Sequence, residues 1–170
     1  MLLRDALIDD FVAIAAIYAY HVRTGAGSFE EEPPSLDVMI DRWGAVTNRN
    51  LPWLVAEVDG AVAGYAYARP YHERSAYRFT LEDAVYVAAG AARSGLGRAL
   101  LSGVIDRCAA QGYRQMIAVI GDSANTGSIS LHAALGFRHV GTLRDVGVKF
   151  GRSLDCVLMQ RELVNDQSAS

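Results

Sequence analysis

The feature that most constrains this chain is a strand that passes through a small-residue loop and a glycine turn into a long amphipathic helix. Thr80 to Val87 reads as the strand. From Ser94 to Gln111, Gly97, Leu100, Leu101, Val104, Ile105 and Cys108 recur at helical spacing, with Gly112 as the stop signal. Ala92-Arg93-Ser94-Gly95-Leu96-Gly97-Arg98 joins the two. A helix N-terminus presents unpaired N–H groups and the positive end of the macrodipole, so glycines there let a phosphate approach the backbone closely. A Gly-x-Gly at a helix start is also a common packing or capping device. The third glycine of the dinucleotide fingerprint and the Gly-Lys-Ser/Thr of a nucleoside-triphosphate loop are both missing, and Arg93 and Arg98 beside the turn favour a diphosphate ligand.

The flanking elements predict an α/β fold. After a short apolar start, Asp9-Asp10 precede Phe11, Ile14, Ala15, Tyr18 and Val22 at helical spacing, and Gly25 and Gly27 end that helix. Ser35-Leu36-Asp37 opens a second helix. Trp53 to Val58, the turn Asp59-Gly60 and Ala61 to Arg69 read as a hairpin, because Asp-Gly tolerates the positive φ angles of a two-residue turn. Pro70 to Arg78 is a polar, aromatic loop before the third strand of the meander. Beyond the long helix come a buried strand at Met116 to Ile120 and a helix from about Thr126 to Leu135. Two closing strands follow, roughly Arg138 to Lys149 and Ser153 to Leu163. The order is strand, two helices, three strands, helix, strand, helix, two strands, which implies a mixed sheet. At 170 residues one domain is expected, over 1–163, with 164–170 as a frayed polar tail.

Composition excludes several function classes. The formal charge of −3 provides no global basic field for a polyanion, so nucleic acid is not an expected partner. Fifteen of the sixteen basic residues are Arg and the other is Lys149; the bias fits carboxylate and phosphate recognition and equally fits genome composition. Cys108 and Cys156 form neither a Cys-x-x-Cys pair nor a metal-ligand pattern, so no metal is expected. No apolar run resembles a signal peptide or approaches the ~18 residues of a membrane span, so a cytoplasmic protein without membrane partners is expected.

A resemblance rests on several motifs in order: Val85-Tyr86-Val87, the turn Arg93 to Arg98, Asn125-x-x-Ser128, and His132-x-x-Leu135-Gly136-Phe137. Together they resemble the GNAT superfamily of acyl-CoA-dependent N-acetyltransferases. Trp53-Leu54-Val55-Ala56-Glu57, Gly64-Tyr65-Ala66-Tyr67, Tyr77 to Glu82 and Gly147 to Arg152 are similar to its phosphinothricin and methionine sulfoximine acetyltransferase group. The resemblance, which covers Arg4 to Leu163, implies a single-domain GNAT-like fold: a mixed, mostly antiparallel sheet with splayed central parallel strands, flanked by helices. It also implies acetyl-CoA as co-substrate. Val85, Tyr86 and Val87 would bond the pantetheine as an added strand, and Arg93, Ser94, Gly95, Leu96, Gly97 and Arg98 would cap the pyrophosphate. The family usually opens this loop with Gln or Arg, and Ala92 departs from that pattern.

Acetyl transfer to an amine requires a neutral nitrogen, a site for the oxyanion and a proton for the leaving thiolate. An α-amino group of pKa about 7.7–8.0 is mostly protonated at neutral pH, so a base must collect its proton. Glu82 is the candidate. On a strand it shares a face with Ala84 and Tyr86, whereas Asp83 faces the other way with Val85 and Val87, so the two acids do not share one site. An exposed strand Glu is otherwise a solvated residue; the resemblance assigns Glu82 the role of general base. His132 stands where many superfamily members carry a Tyr facing the thiol, which implies thiolate protonation or substrate holding, against a structural role for a lone helical His. Asn125 reads as a helix cap that could also bond the cofactor.

On the substrate side, the resemblance implies Phe29, Arg74, Tyr77 and Lys149 beside Glu82, although Arg74 and Tyr77 also read as surface loop. Ser153 replaces a Trp frequent in this group, which bears on substrate size or a subunit interface. The leading expectation is N-acetylation of a small amino-acid analogue such as phosphinothricin, methionine sulfoximine or methionine sulfone, by direct attack, in a homodimer. The alternatives are another amine (a polyamine, an antibiotic or a protein N-terminus) or a non-catalytic acetyl-CoA sensor.

Overall fold

The structure, a computed structural model, describes residues 1–92 and 94–164. Seven strands form one sheet: β1 (Leu2–Asp5), β2 (Trp53–Val58), β3 (Ala61–Pro70), β4 (Thr80–Val87), β5 (Gln115–Gly121), β6 (Arg138–Lys149) and β7 (Arg152–Glu162). Four helices flank it: α1 (Phe11–Thr24), α2 (Leu36–Thr47), α3 (Leu96–Ala110) and α4 (Thr126–Ala134). The sheet order is β1-β2-β3-β4-β5-β7-β6, and only the β4–β5 pair is parallel. The expected mixed, mostly antiparallel sheet with a parallel centre is therefore present. No helix among the described residues is long and apolar enough to cross a membrane.

Local chemistry accounts for the boundaries. Asp59 and Gly60 both take positive φ, 51° and 79°, as the two-residue hairpin between β2 and β3 requires. The Ser35 side chain accepts from the Val38 N–H and caps α2. Before α1, the acidic pair forms a short 3₁₀ turn (Ile8–Asp10) in which Asp10 accepts from the Leu7 N–H and from Arg4, at 2.7 Å in each case. That partly buried pair holds the Asp10 carboxyl below the usual carboxylate range, chiefly through the Arg4 hydrogen bond.

The core has two layers, one on each sheet face. Phe11 of α1 packs its ring 5.2 Å from that of Trp43 and 5.6 Å from that of Trp53, and Trp53 stacks on Tyr67 at 4.0 Å. On the opposite face, Leu100, Leu101, Val104 and Cys108 of α3 are fully buried. Gly64 and Gly103 permit this close docking: a Cβ at Gly64 would stand 3.1 Å from Leu100, and one at Gly103 would stand 3.0 Å from Leu54. Burial pushes the Cys108 thiol up to about 12, so it is an inert core group. Val164, where the tail was expected to begin, is exposed, and 165–170 lie outside the described residues.

Candidate active site

Strands β4 and β5 pair only at Thr80↔Gln115, Leu81↔Met116 and Glu82↔Ile117. Beyond Glu82 the strands part, and a cleft of about 1720 Å³ occupies the fork. Pairing of β4 with β3 continues to Val87. The bond from Ala88 N–H to the Ala63 carbonyl fixes the phase of that ladder, turning the Tyr86 backbone groups toward β3 and those of Asp83, Val85 and Val87 toward the gap. The Val87 carbonyl accepts from His21 Nε2 at 2.7 Å. Val85 thus offers the open N–H and C=O that an extended ligand could pair with as an added strand. The Tyr86 side chain instead points to the α1 face, edge-on to Tyr18 at 5.1 Å.

The start of α3 opens onto the same cleft. Gly95 is the N-cap, with φ 86°, a left-handed conformation that favours glycine, and Gly95, Gly97 and Arg98 line the cleft. A Cβ at Gly97 would stand 3.3 Å from Leu131, so this glycine also lets α4 approach. The N–H groups of Leu96, Gly97 and Arg98 precede any intrahelical acceptor and form the positive end of the helix. Leu96 contributes only its backbone, because its side chain is buried in the core. Ser94 donates to the Ala91 carbonyl at 2.6 Å, Ala92 lines the cleft, and Arg93 lies outside the described residues. The combination of a free strand edge and a helix N-terminus at one fork fits a long anionic thioester such as acetyl-CoA.

Glu82 stands where β4 and β5 part, its side chain 15% exposed, and accepts from Arg69 Nη2 at 2.6 Å. Its partner is directly opposite on β3, in the register Arg69↔Glu82. Asp83 points to the other face, as alternation required. Asp83 Oδ1 lies 2.9 Å from His132 Nε2, while its Oδ2 is buried with no hydrogen-bond partner among the described residues.

His132, expected either to serve the thiol or substrate or to be structural, lines the cleft. Its Nδ1–H donates to the Ser128 carbonyl at 2.7 Å and its Nε2 faces Asp83, with the ring edge-on to Phe137 at 5.0 Å. Burial lowers its pKa, but the Asp83 hydrogen bond and charge, with the Ser128 carbonyl, outweigh burial and raise it. Both nitrogens have partners within the protein, and the pair braces α4 against β4. Asn125 caps α4 by accepting from the Ser128 N–H at 3.2 Å, and its Nδ2 donates to the Gly121 carbonyl at 3.0 Å. Its amide is thereby engaged at both ends.

Lys149, expected beside the substrate, is buried behind the loop that follows α1. It is 1% exposed, and its ammonium donates to the carbonyls of Gly25 at 2.9 Å and Ser28 at 2.7 Å. It therefore pins the loop after α1. That loop carries Phe29, whose ring sits between two glycines: a Cβ at Gly121 would stand 2.4 Å from it, and one at Gly147 would stand 2.6 Å away. Phe29 lines the cleft with an exposed face. Arg74 and Tyr77 line a separate hollow of about 150 Å³ that adjoins the cleft at Arg49, Pro70 and Glu73.

Sequence reasoning missed the second polar layer on the α1 side. Glu30 accepts two bonds from Arg42, at 3.0 and 2.6 Å, and one from the Tyr18 hydroxyl, which is also 2.7 Å from Ser28. The Arg42 bonds hold the Glu30 carboxyl below the ordinary range, and burial is the larger part of what pushes the Tyr18 hydroxyl up to about 12. Arg69, Glu30 and Arg42 belong to no local motif; the one available signal for Arg69 was its cross-strand alignment with Glu82 across the loop that joins β3 to β4. Among the described residues no group of three or more His, Cys, Asp or Glu could hold a metal ion.

Comparison with known proteins gives this geometry a family. The chain is 57% identical over 155 residues to phosphinothricin N-acetyltransferase of Alcaligenes faecalis, covering 91% of this chain and 79% of that protein. It is 38% identical over 168 residues to the L-methionine sulfoximine/L-methionine sulfone acetyltransferase of Pseudomonas paraeruginosa, covering 98% and 97%. Its fold superposes with a TM-score of 0.94 on the crystal structure of a GNAT superfamily phosphinothricin acetyltransferase from Sinorhizobium meliloti in complex with acetyl-CoA, at 44% identity, covering 99% of this chain and 91% of that one. The family model for the acetyltransferase (GNAT) family matches residues 14–137. With the forked strands and the helix start between them, these matches establish that the chain belongs to the GNAT family of acetyltransferases, enzymes that act with acetyl-CoA.

Proposed function

We propose that the protein acetylates the amino group of a small amino-acid analogue of the phosphinothricin, methionine sulfoximine or methionine sulfone type, with Glu82 as the general base. The observation that carries the reading is the position of Glu82: a partly shielded carboxylate where β4 leaves β5, on the opposite strand face from Asp83 and its His132 brace. The names of the relatives supply the substrate class.

Bound acetyl-CoA supplies a thioester carbonyl for the amine to attack. The chain's own groups do the rest. The Val85 backbone pairs with the extended arm of the co-substrate, and the N–H groups of Leu96, Gly97 and Arg98, with the Arg98 guanidinium, meet its pyrophosphate. Tyr86 and Val87 act here through strand geometry, and Ser94 belongs to the turn. Glu82 takes the proton from the substrate ammonium, leaving a neutral nitrogen for direct attack; the N–C bond forms as the thioester C–S bond breaks, and the proton lost from the acylated nitrogen leaves with the thiolate as free thiol, while Cys108 and Cys156 are buried and serve no acyl-enzyme step. Phe29 forms the apolar lip against the substrate side chain.

We also infer a homodimer. Along β6 and the turn after it, Val140, Leu143, Val146, Val148 and Phe150 are exposed by about half or more, an apolar surface on the sheet's edge strand that a second copy would cover. The co-substrate is a cytoplasmic metabolite, and we infer a cytoplasmic location for the enzyme.

A thiol-release assay with acetyl-CoA against sulfoximine, sulfone and phosphinate amino acids tests the substrate class; release with none of them refutes it. Glu82→Gln is expected to lower kcat about 10²–10⁴-fold. Full turnover by that variant across pH 6–9 would remove Glu82 from the reaction.

A further inference from the structure

The Arg69–Glu82 pair has more capacity than its one bond uses. The Arg69 side chain is 53% exposed and lines the cleft, and among the described residues its guanidinium hydrogen bonds only through Nη2 to Glu82. A guanidinium has five N–H donors in a planar fork, so most of this one remains available on the cleft side. Its neighbours are engaged elsewhere: Arg42 gives two bonds to Glu30, and Arg49 bonds Glu73 at 3.1 Å. Arg152, at the start of β7, also lines the cleft and has no ion-pair partner among the described residues, which makes it the competing cation.

An α-amino acid presents an ammonium and a carboxylate whose N and nearer O lie roughly 3 Å apart across two bonds to Cα. Glu82 and Arg69, 2.6 Å apart, present the opposite charges at matching separation. A bare amine can satisfy only the Glu82 half. We propose that Arg69 and Glu82 together clamp the zwitterionic head of the substrate, Arg69 taking the carboxylate through its unused N–H groups while Glu82 receives the ammonium. Arg69 is then the residue that selects α-amino acids over simple amines, and its bond to Glu82 keeps the two halves in register. This rests on the reading of Glu82 as the base.

The experiment measures kcat/KM for methionine sulfone and for its decarboxylated amine in the wild-type protein, Arg69→Gln, Arg69→Lys and Arg152→Gln. The wild type should favour the amino acid. Arg69→Gln should cut that preference about 10–100-fold, mainly through KM for the amino acid, the size expected for losing a charge-assisted pair. Arg69→Lys, which keeps the charge without the fork, should restore part of it; if Arg69→Gln does not fold, Arg69→Lys against wild type still reads a smaller fall in the same ratio. Three results overturn the clamp and leave the acetyltransferase reading standing: no preference in the wild type, equal losses for both substrates in the Arg69 variants, or loss of preference in Arg152→Gln instead. A wild type that releases thiol with neither substrate overturns the reading of the substrate class and the clamp with it.

Discussion

Lys149→Met removes an ammonium while keeping the length and apolar stem of the side chain. In the native protein that ammonium satisfies two carbonyls, those of Gly25 and Ser28, at 2.9 and 2.7 Å. A buried acceptor stripped of its donor costs about 1–3 kcal/mol, so two cost about 2–6 kcal/mol. Two effects reduce this. Burial lowers the Lys149 pKa, so the native ammonium already carries a desolvation penalty that Met relieves. The loop also has exposed residues beside the pinned ones, Gly27 among them, and can swing its carbonyls into water. A net loss of about 2–3 kcal/mol remains, which at a urea m-value of about 2 kcal/mol/M lowers the midpoint by about 1–1.5 M. The loop carries Phe29, so KM for the amine should rise while KM for acetyl-CoA changes less. Urea unfolding at pH 7 with steady-state kinetics on both substrates checks this. An unchanged midpoint with a raised amine KM would refute the pinning role and return Lys149 to direct substrate contact.

Two further outcomes follow from the packing. Gly147→Ala places a Cβ 2.6 Å from the Phe29 ring, so the ring must shift by about 1 Å to regain ordinary contact. Amine KM should rise several-fold at a stability cost of about 1–2 kcal/mol, and unaltered kinetics would show that Phe29 does not shape the pocket. The His132–Asp83 brace sets a pH dependence. Its folded pKa lies above the ordinary 6.5, so its stabilisation is fully present below about 6.5 and fades as pH rises through the raised value. Urea midpoints from pH 6 to 9 should fall more steeply for the wild type than for His132→Asn; parallel curves would rule the brace out as the source.

The covalent alternation of the chain settled a good deal before folding. The period-two pattern of Thr80 to Val87 put Glu82 and Asp83 on opposite faces, and the structure has one on Arg69 and the other on His132. Asp59-Gly60 specified a tight hairpin because few residues accept two successive positive φ angles, and that turn set the pairs Val58↔Ala61 and Glu57↔Val62, beyond which an irregularity at Ala56/Glu57 shifts the β2–β3 register. The helix after the glycine turn was legible from its spacing, and the structure starts it at Leu96, with Gly95 as its left-handed N-cap.

Tertiary structure decided what each polar side chain is spent on. Lys149 and His132 sit in sequence patterns that point to chemistry, yet they are buried against carbonyls and a carboxylate from segments 121 and 49 residues distant. Burial made those partners obligatory, since an uncompensated charge in the core is far costlier than one in the cleft. Arg69 lacks any local motif and becomes the partner of Glu82 only when β3 and β4 align. Local sequence fixes backbone conformation and facing, because those depend on sterics between neighbours. Which side chains remain free to meet a ligand depends on distant partners competing for the same hydrogen bonds, and only the assembled sheet brings those partners within reach.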